Sequence, residues 1–113
     1  MTEADYPYTN GLTKITNTTC SWNSGDAIVK ANGFSFVPAN NPKQMQAALN
    51  LGPISVGVDS SSTAFRNYSG GIITDAAACG TALGHAVTIV GYNGQNDPPY
   101  FIVRNSWGSS WGD

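Results

Sequence analysis

The sequence predicts an α+β domain, mainly antiparallel β with one short helix. Three observations lead there. Short apolar runs alternate with polar residues at a period of two, as in "GPISVGVDS". Glycine (13) and proline (6) break the 113 residues into short pieces, which leaves little room for long helices. One segment alone, "NPKQMQAALN", combines a helix start with helical spacing of its apolar residues.

Taken in order, residues 1–25 are polar, contain "YPY" and "NG", and read as loop. "DAIVKANGFSFVP" reads as a strand, a turn at Asn32-Gly33, and a second strand with Phe34 and Phe36 on one face. In the helical segment Asn41 can cap, Pro42 suits the first helical position, and Met45, Ala48 and Leu49 share a face. "GPISVGVDS" is a strand with Ile54, Val56 and Val58 inward, and "TAFRNYSGGIITD" ends in a short apolar strand after a Gly-Gly turn. "HAVTIVGYN" and "YFIVRNSWG" are two strands joined by "GQNDPP", whose paired prolines exclude helix.

Composition narrows the function classes. With 41% hydrophobic and 11% charged residues the chain can bury a modest core and is not of disordered composition. Its net charge is −2, and its cations (Lys14, Lys30, Lys43, Arg66, Arg104) are scattered, so no nucleic-acid partner is expected. The apolar runs around Ile54 and Val87 fall far short of a bilayer span, and "TEADYPY" after Met1 lacks a leader pattern, so no membrane partner is expected either. Sequons at Asn17 ("NTT") and Asn67 ("NYS") fit a secreted or endomembrane glycoprotein. The two cysteines, Cys20 and Cys79, could form one bridge, stay as free thiols, or pair with segments outside the chain. A zinc site from Cys20, Cys79 and His85 would lack a fourth ligand, and no metal or organic cofactor is expected.

The single histidine, His85, opens the run "HAVTIVGY". It could be a strand-end residue satisfied by water or backbone. If residues 85–92 and 100–104 pair as antiparallel neighbours, however, His85 falls beside Asn105. An Asn oxygen accepting from one ring N–H fixes the tautomer and leaves the other nitrogen outward as a base. Such a pair is two thirds of a nucleophilic triad.

"GHAVTIVGY" followed by "YFIVRNSWGSSWG" resembles the papain-like cysteine proteases, and "YPY", "GPISVGVD" and "YSGGII" match that family in order, over about Tyr6 to Gly112. The resemblance implies that residues 31–113 are an incomplete β-rich right-hand, barrel-like domain, and that residues 1–30 lead in from a missing helical domain that carries the nucleophile. It implies a cysteine endopeptidase acting on peptide or protein substrates, with His85 as catalytic imidazole and Asn105 orienting it. Trp107 would cover that contact, Trp111 would line the leaving-group side, Gly84 would offer its carbonyl to the substrate backbone, and Leu83 and Gly57 would line an apolar substrate pocket. Trp107 could also be an ordinary core aromatic, Trp111 could equally be surface packing, and Leu83 and Gly57 could instead be simple core. Cys20 is 65 residues from His85 and lacks the preceding Gly-[Ser/Ala] pair, against the 130–150 residues of the family pattern. By resemblance, Cys20 and Cys79 are instead disulfide cysteines whose partners lie outside the chain, with a direct Cys20–Cys79 bond as the competing pairing. The chain would then be inactive alone, and the parent lysosomal, vacuolar or extracellular. A non-catalytic pseudopeptidase or a secreted β-rich binding glycoprotein is the alternative.

Overall fold

In a computed structural model, residues 1–8 and 19–113 are described. They fall into two compact units, Met1–Phe36 and Val37–Asp113. Asn17 lies outside the described residues.

The first unit is built from turns. Asp5 accepts from both the N–H and the hydroxyl of Thr2 (2.9 and 2.7 Å), and Ser24–Asp26 forms one 3-10 turn capped by the Asn23 side chain. The two strands expected over residues 26–38 do not form. A tight Asn-Gly hairpin turn needs positive φ at both central residues, and only Gly33 has it. Among the described residues no third strand or packed face supports the two runs, and an isolated hairpin is marginal in water. Phe34 and Phe36 therefore stay 82% and 88% exposed, resting edge to face on each other at 5.2 Å.

The second unit holds the sheet. Helix α1 (Pro42–Leu49) begins where expected: Asn41 Oδ1 accepts from the Gln44 N–H at 3.1 Å, and Pro42 at the first position sacrifices no intrahelical bond. Strand β1 (Ile54–Val58) is followed by two single-turn helices, α2 (Thr63–Arg66) and α3 (Ala76–Cys79), then β2 (His85–Asn93) and β3 (Tyr100–Arg104). The expectation of one helix is thus corrected: Ser62 and Asp75 each cap a turn too short to show periodicity in the sequence. Ile72 and Ile73 form no strand, since Gly70 and Gly71, both at positive φ, turn the chain away from the sheet ladder.

The sheet is antiparallel, in the order β1-β2-β3. Ile54, Ile89 and Val103 form one cross-strand row, Val56 and Val87 the next, and Val58 pairs with His85. Val87 and Ile89, 6% and 7% exposed, are the buried hydrophobic side chains among the described residues. Both lie on the central strand, on the face that His85 shares.

Candidate active site

His85 is the first residue of the central strand, and Asn105 follows the last residue of β3. Their side chains meet with His85 Nε2 at 2.8 Å from Asn105 Oδ1. The amide orientation is decided by a second bond: the Ser106 backbone N–H, which can only donate, also points at Oδ1 (2.8 Å). Turning the amide over would set its NH2 against that N–H. The atom facing the ring is therefore an acceptor, so Nε2 must carry the proton and the lone pair of neutral His85 sits on Nδ1. No other hydrogen bond engages the ring within the described residues. The cost falls on Asn105 Nδ2, which is buried without an acceptor.

Continuing the Thr88–Arg104 register past the end of β3 brings position 107 across from His85. The Trp107 indole stacks there on the imidazole, with centroids 5.0 Å apart and planes 26° from parallel. It is 38% exposed, so it covers the ring while part of it still meets solvent. Trp111 packs edge-on against Trp107 (5.5 Å), and its Nε1–H donates to the Phe65 carbonyl at 2.9 Å.

Phe65 is the residue the sequence reading missed. Its ring touches Trp107 (5.4 Å) and Trp111 (5.1 Å) and presents toward His85 at 6.4 Å. Ser62 Oγ accepts from the Phe65 N–H (3.2 Å), so the serine cap of α2 sets where this ring lies. The available signal was "SSTAFR", a serine at the start of a turn.

The expected pocket residues lie on the β1 side of His85. Leu83 is 75% exposed, and its side chain rests over Gly57: a Cβ added at Gly57 would sit 3.5 Å from Leu83 Cδ1. Gly84 donates its N–H to the Val58 carbonyl (3.1 Å). A Cβ at Gly84 would meet nothing nearer than the Ala82 carbonyl at 3.9 Å, so packing within this chain does not demand glycine there. Asn67, the described sequon residue, is exposed at the end of α2. Cys20 is an exposed free thiol and Cys79 a half-buried one at the end of α3. The Cys79 thiol does not hydrogen-bond His85. No group of three or more metal-ligating side chains occurs among the described residues, and no helix there is long and apolar enough to cross a membrane.

The site thus sets a protonated ring nitrogen on a carboxamide beneath an indole, at the mouth of an antiparallel pair, with the second ring nitrogen an acceptor. The chain belongs to the papain family of cysteine proteases, whose family model matches residues 1–113. It is 40% identical over 112 residues to the probable cysteine protease RD21C of Arabidopsis thaliana, covering 99% of this chain and 24% of that protein. To the oryzain beta chain of Oryza sativa subsp. japonica it is 40% identical over 113 residues, covering 99% and 23%. Among solved structures it is similar to the bromelain protease from Ananas comosus, with 43% identity and a TM-score of 0.60, over 68% of this chain and 35% of that one. The antiparallel sheet with few helices is the β-rich domain of the papain fold. The chain spans 23% to 32% of the length of the curated relatives it matches first.

Proposed function

We propose that this chain supplies the histidine and asparagine of a Cys-His-Asn cysteine endopeptidase, with the nucleophilic cysteine on a helical domain outside residues 1–113. The observation that carries this reading is the Nε2–H···Oδ1 bond at 2.8 Å, which leaves Nδ1 as the proton acceptor. In the reaction Nδ1 takes the proton of the cysteine thiol, and the thiolate attacks the peptide carbonyl carbon. The imidazolium then returns that proton to the leaving amine as the C–N bond breaks. His85 next takes a proton from water, whose oxygen attacks the acyl thioester, and the thiol is regenerated as the acid departs. Asn105 keeps one tautomer throughout, and Trp107 limits water at the contact, which strengthens that bond.

Leu83 over Gly57 forms the wall for an apolar substrate side chain, the Gly84 carbonyl accepts from the substrate backbone, and Trp111 flanks the leaving-group side. By resemblance to the family, Cys20 and Cys79 bridge to cysteines of the parent outside this chain. Asn67, and Asn17 beyond the described residues, carry glycans in a vacuolar, lysosomal or extracellular parent; Asn67→Gln should remove one glycosidase-sensitive step in gel mobility.

The test uses the full-length parent. It should cleave an internal peptide bond and take up an epoxide thiol probe at one cysteine, and His85→Ala should abolish cleavage with the fold retained. A correctly folded parent that neither cleaves nor labels refutes the peptidase reading and leaves a binding protein on the same scaffold.

A further inference from the structure

The segment leading into His85 is held by one carboxylate. Asp59 follows β1, whose last residue pairs with His85. Its Oδ1 accepts from the N–H and the hydroxyl of Ser61 (2.9 and 2.6 Å), and its Oδ2 accepts from the Ala82 N–H across the gap (2.8 Å). The Ser61 hydroxyl, then the Ser61 and Ala82 amides, hold its pKa below the ordinary carboxylate value. Gly80 lies against the same group: it has φ +70°, and a Cβ there would overlap the carboxylate. Two residues beyond Ala82, the Gly84 N–H is tied to the Val58 carbonyl. Leu83 therefore sits between two backbone anchors, with its side chain laid on Gly57.

We propose that Asp59 is a positioning residue that fixes residues 80–84 against the end of β1 and thereby sets the size of the apolar substrate side chain accepted at Leu83 and Gly57. The selectivity rests on the peptidase reading above; the anchoring of the segment does not. A carboxylate can accept from both sides at once. A carboxamide cannot, because its NH2 would face an N–H donor on one side or the other. Ser61 offers two donors to one oxygen and Ala82 a single one to the other, so the Asp59→Asn amide keeps its oxygen on Ser61 and releases Ala82.

The experiment compares the full-length parent, its D59N variant and a D75N control, whose lost carboxylate caps α3 through Ala77 and Ala78 and does not reach residues 80–84. Amide exchange over residues 80–84 is read beside kcat and KM for two peptides that differ only in Leu or Ala at the position before the scissile residue. D59N should speed exchange at Ala82 and lower kcat/KM for the Leu peptide relative to the Ala peptide by about two- to tenfold, mainly through KM. D75N should leave the ratio unchanged. Unaltered exchange in D59N, an equal loss on both peptides, or the same shift in D75N overturns the proposal. A parent that cleaves neither peptide removes the peptidase reading and the selectivity with it, while the exchange result still reports whether Asp59 holds the segment.

Discussion

Asn105→Ala should separate activity from stability. The substitution deletes the oxygen that accepts from His85 Nε2 and from the Ser106 N–H, both at 2.8 Å. Each such bond contributes a net ~0.5–1.5 kcal/mol. For catalysis only the His85 bond counts, together with the freedom the ring regains, about 0.5–1 kcal/mol for a small side chain. The sum, about 1–2.5 kcal/mol, corresponds to a loss of roughly 5- to 70-fold in kcat/KM. The Trp107 stack remains and keeps the loss from growing further. For stability the ledger differs. Alanine also removes Nδ2, a buried donor without an acceptor, whose burial costs ~1–3 kcal/mol. The lost bonds and the relieved burial nearly cancel, so unfolding free energy should change by no more than about 1 kcal/mol. Peptide hydrolysis by the full-length parent and urea unfolding followed by tryptophan fluorescence measure the two quantities. Activity within twofold of wild type, or a loss of activity matched by an equal loss of stability, would refute the assigned role of Oδ1. Asn105→Gln, which keeps the carboxamide but moves it outward by one methylene, should fall between the two.

Trp107→Ala should lower kcat/KM by about 2- to 12-fold, the worth of an aromatic pair of ~0.5–1.5 kcal/mol, and Trp107→Phe should restore most of it, as steady-state kinetics would read. Ile89→Ala should cost about 2–5 kcal/mol in urea unfolding, whereas Leu83→Ala, on a side chain 75% exposed, should stay within about 0.5 kcal/mol. Because the folded pKa of Asp59 is depressed, its contribution is fully present above the unfolded value near ~3.9 and is lost as pH falls through the lower folded value. Thermal unfolding from pH 6 to pH 2 should thus show a steeper acid fall in wild type than in D59N.

The strands that were legible are those whose alternation is matched by a neighbour: Ile54, Val56 and Val58 find Ile89, Val87 and His85 across the ladder. Residues 27–38 show why alternation alone misleads. Phe34 and Phe36 have strand spacing, but a strand exists only where another backbone completes its hydrogen bonds, and among the described residues none does. The meeting of His85 and Asn105 was legible because a short connection forces β2 and β3 to be antiparallel neighbours, which brings the start of one beside the end of the other. Phe65 and Asp59 were not. Phe65 acts partly through its backbone carbonyl, which every residue type has, and Asp59 through acceptors spent on Ser61 and Ala82, the latter 23 positions away. Neither interaction leaves a periodic trace.

Core and site are coupled through register. Side chains alternate faces along a strand, so a slip of one residue between β2 and β3 would move Asn105 and Trp107 one position along β2 and set Val103 against a residue of the opposite face. The apolar row of Ile54, Ile89 and Val103, with Ile89 buried at its centre, resists that slip, because it would cost the apolar contacts of Ile89 at once. The irregular pairing between Ile89 and Gly91 lies on the far side of that row from His85. The extra residue it absorbs, and any strain from the loop that follows, is therefore taken up before the register reaches the site. Ile89→Ala accordingly tests more than packing. In the fraction of molecules that stays folded, weakening this row should broaden the His85–Asn105 geometry, and kcat should fall further than the folded population alone accounts for.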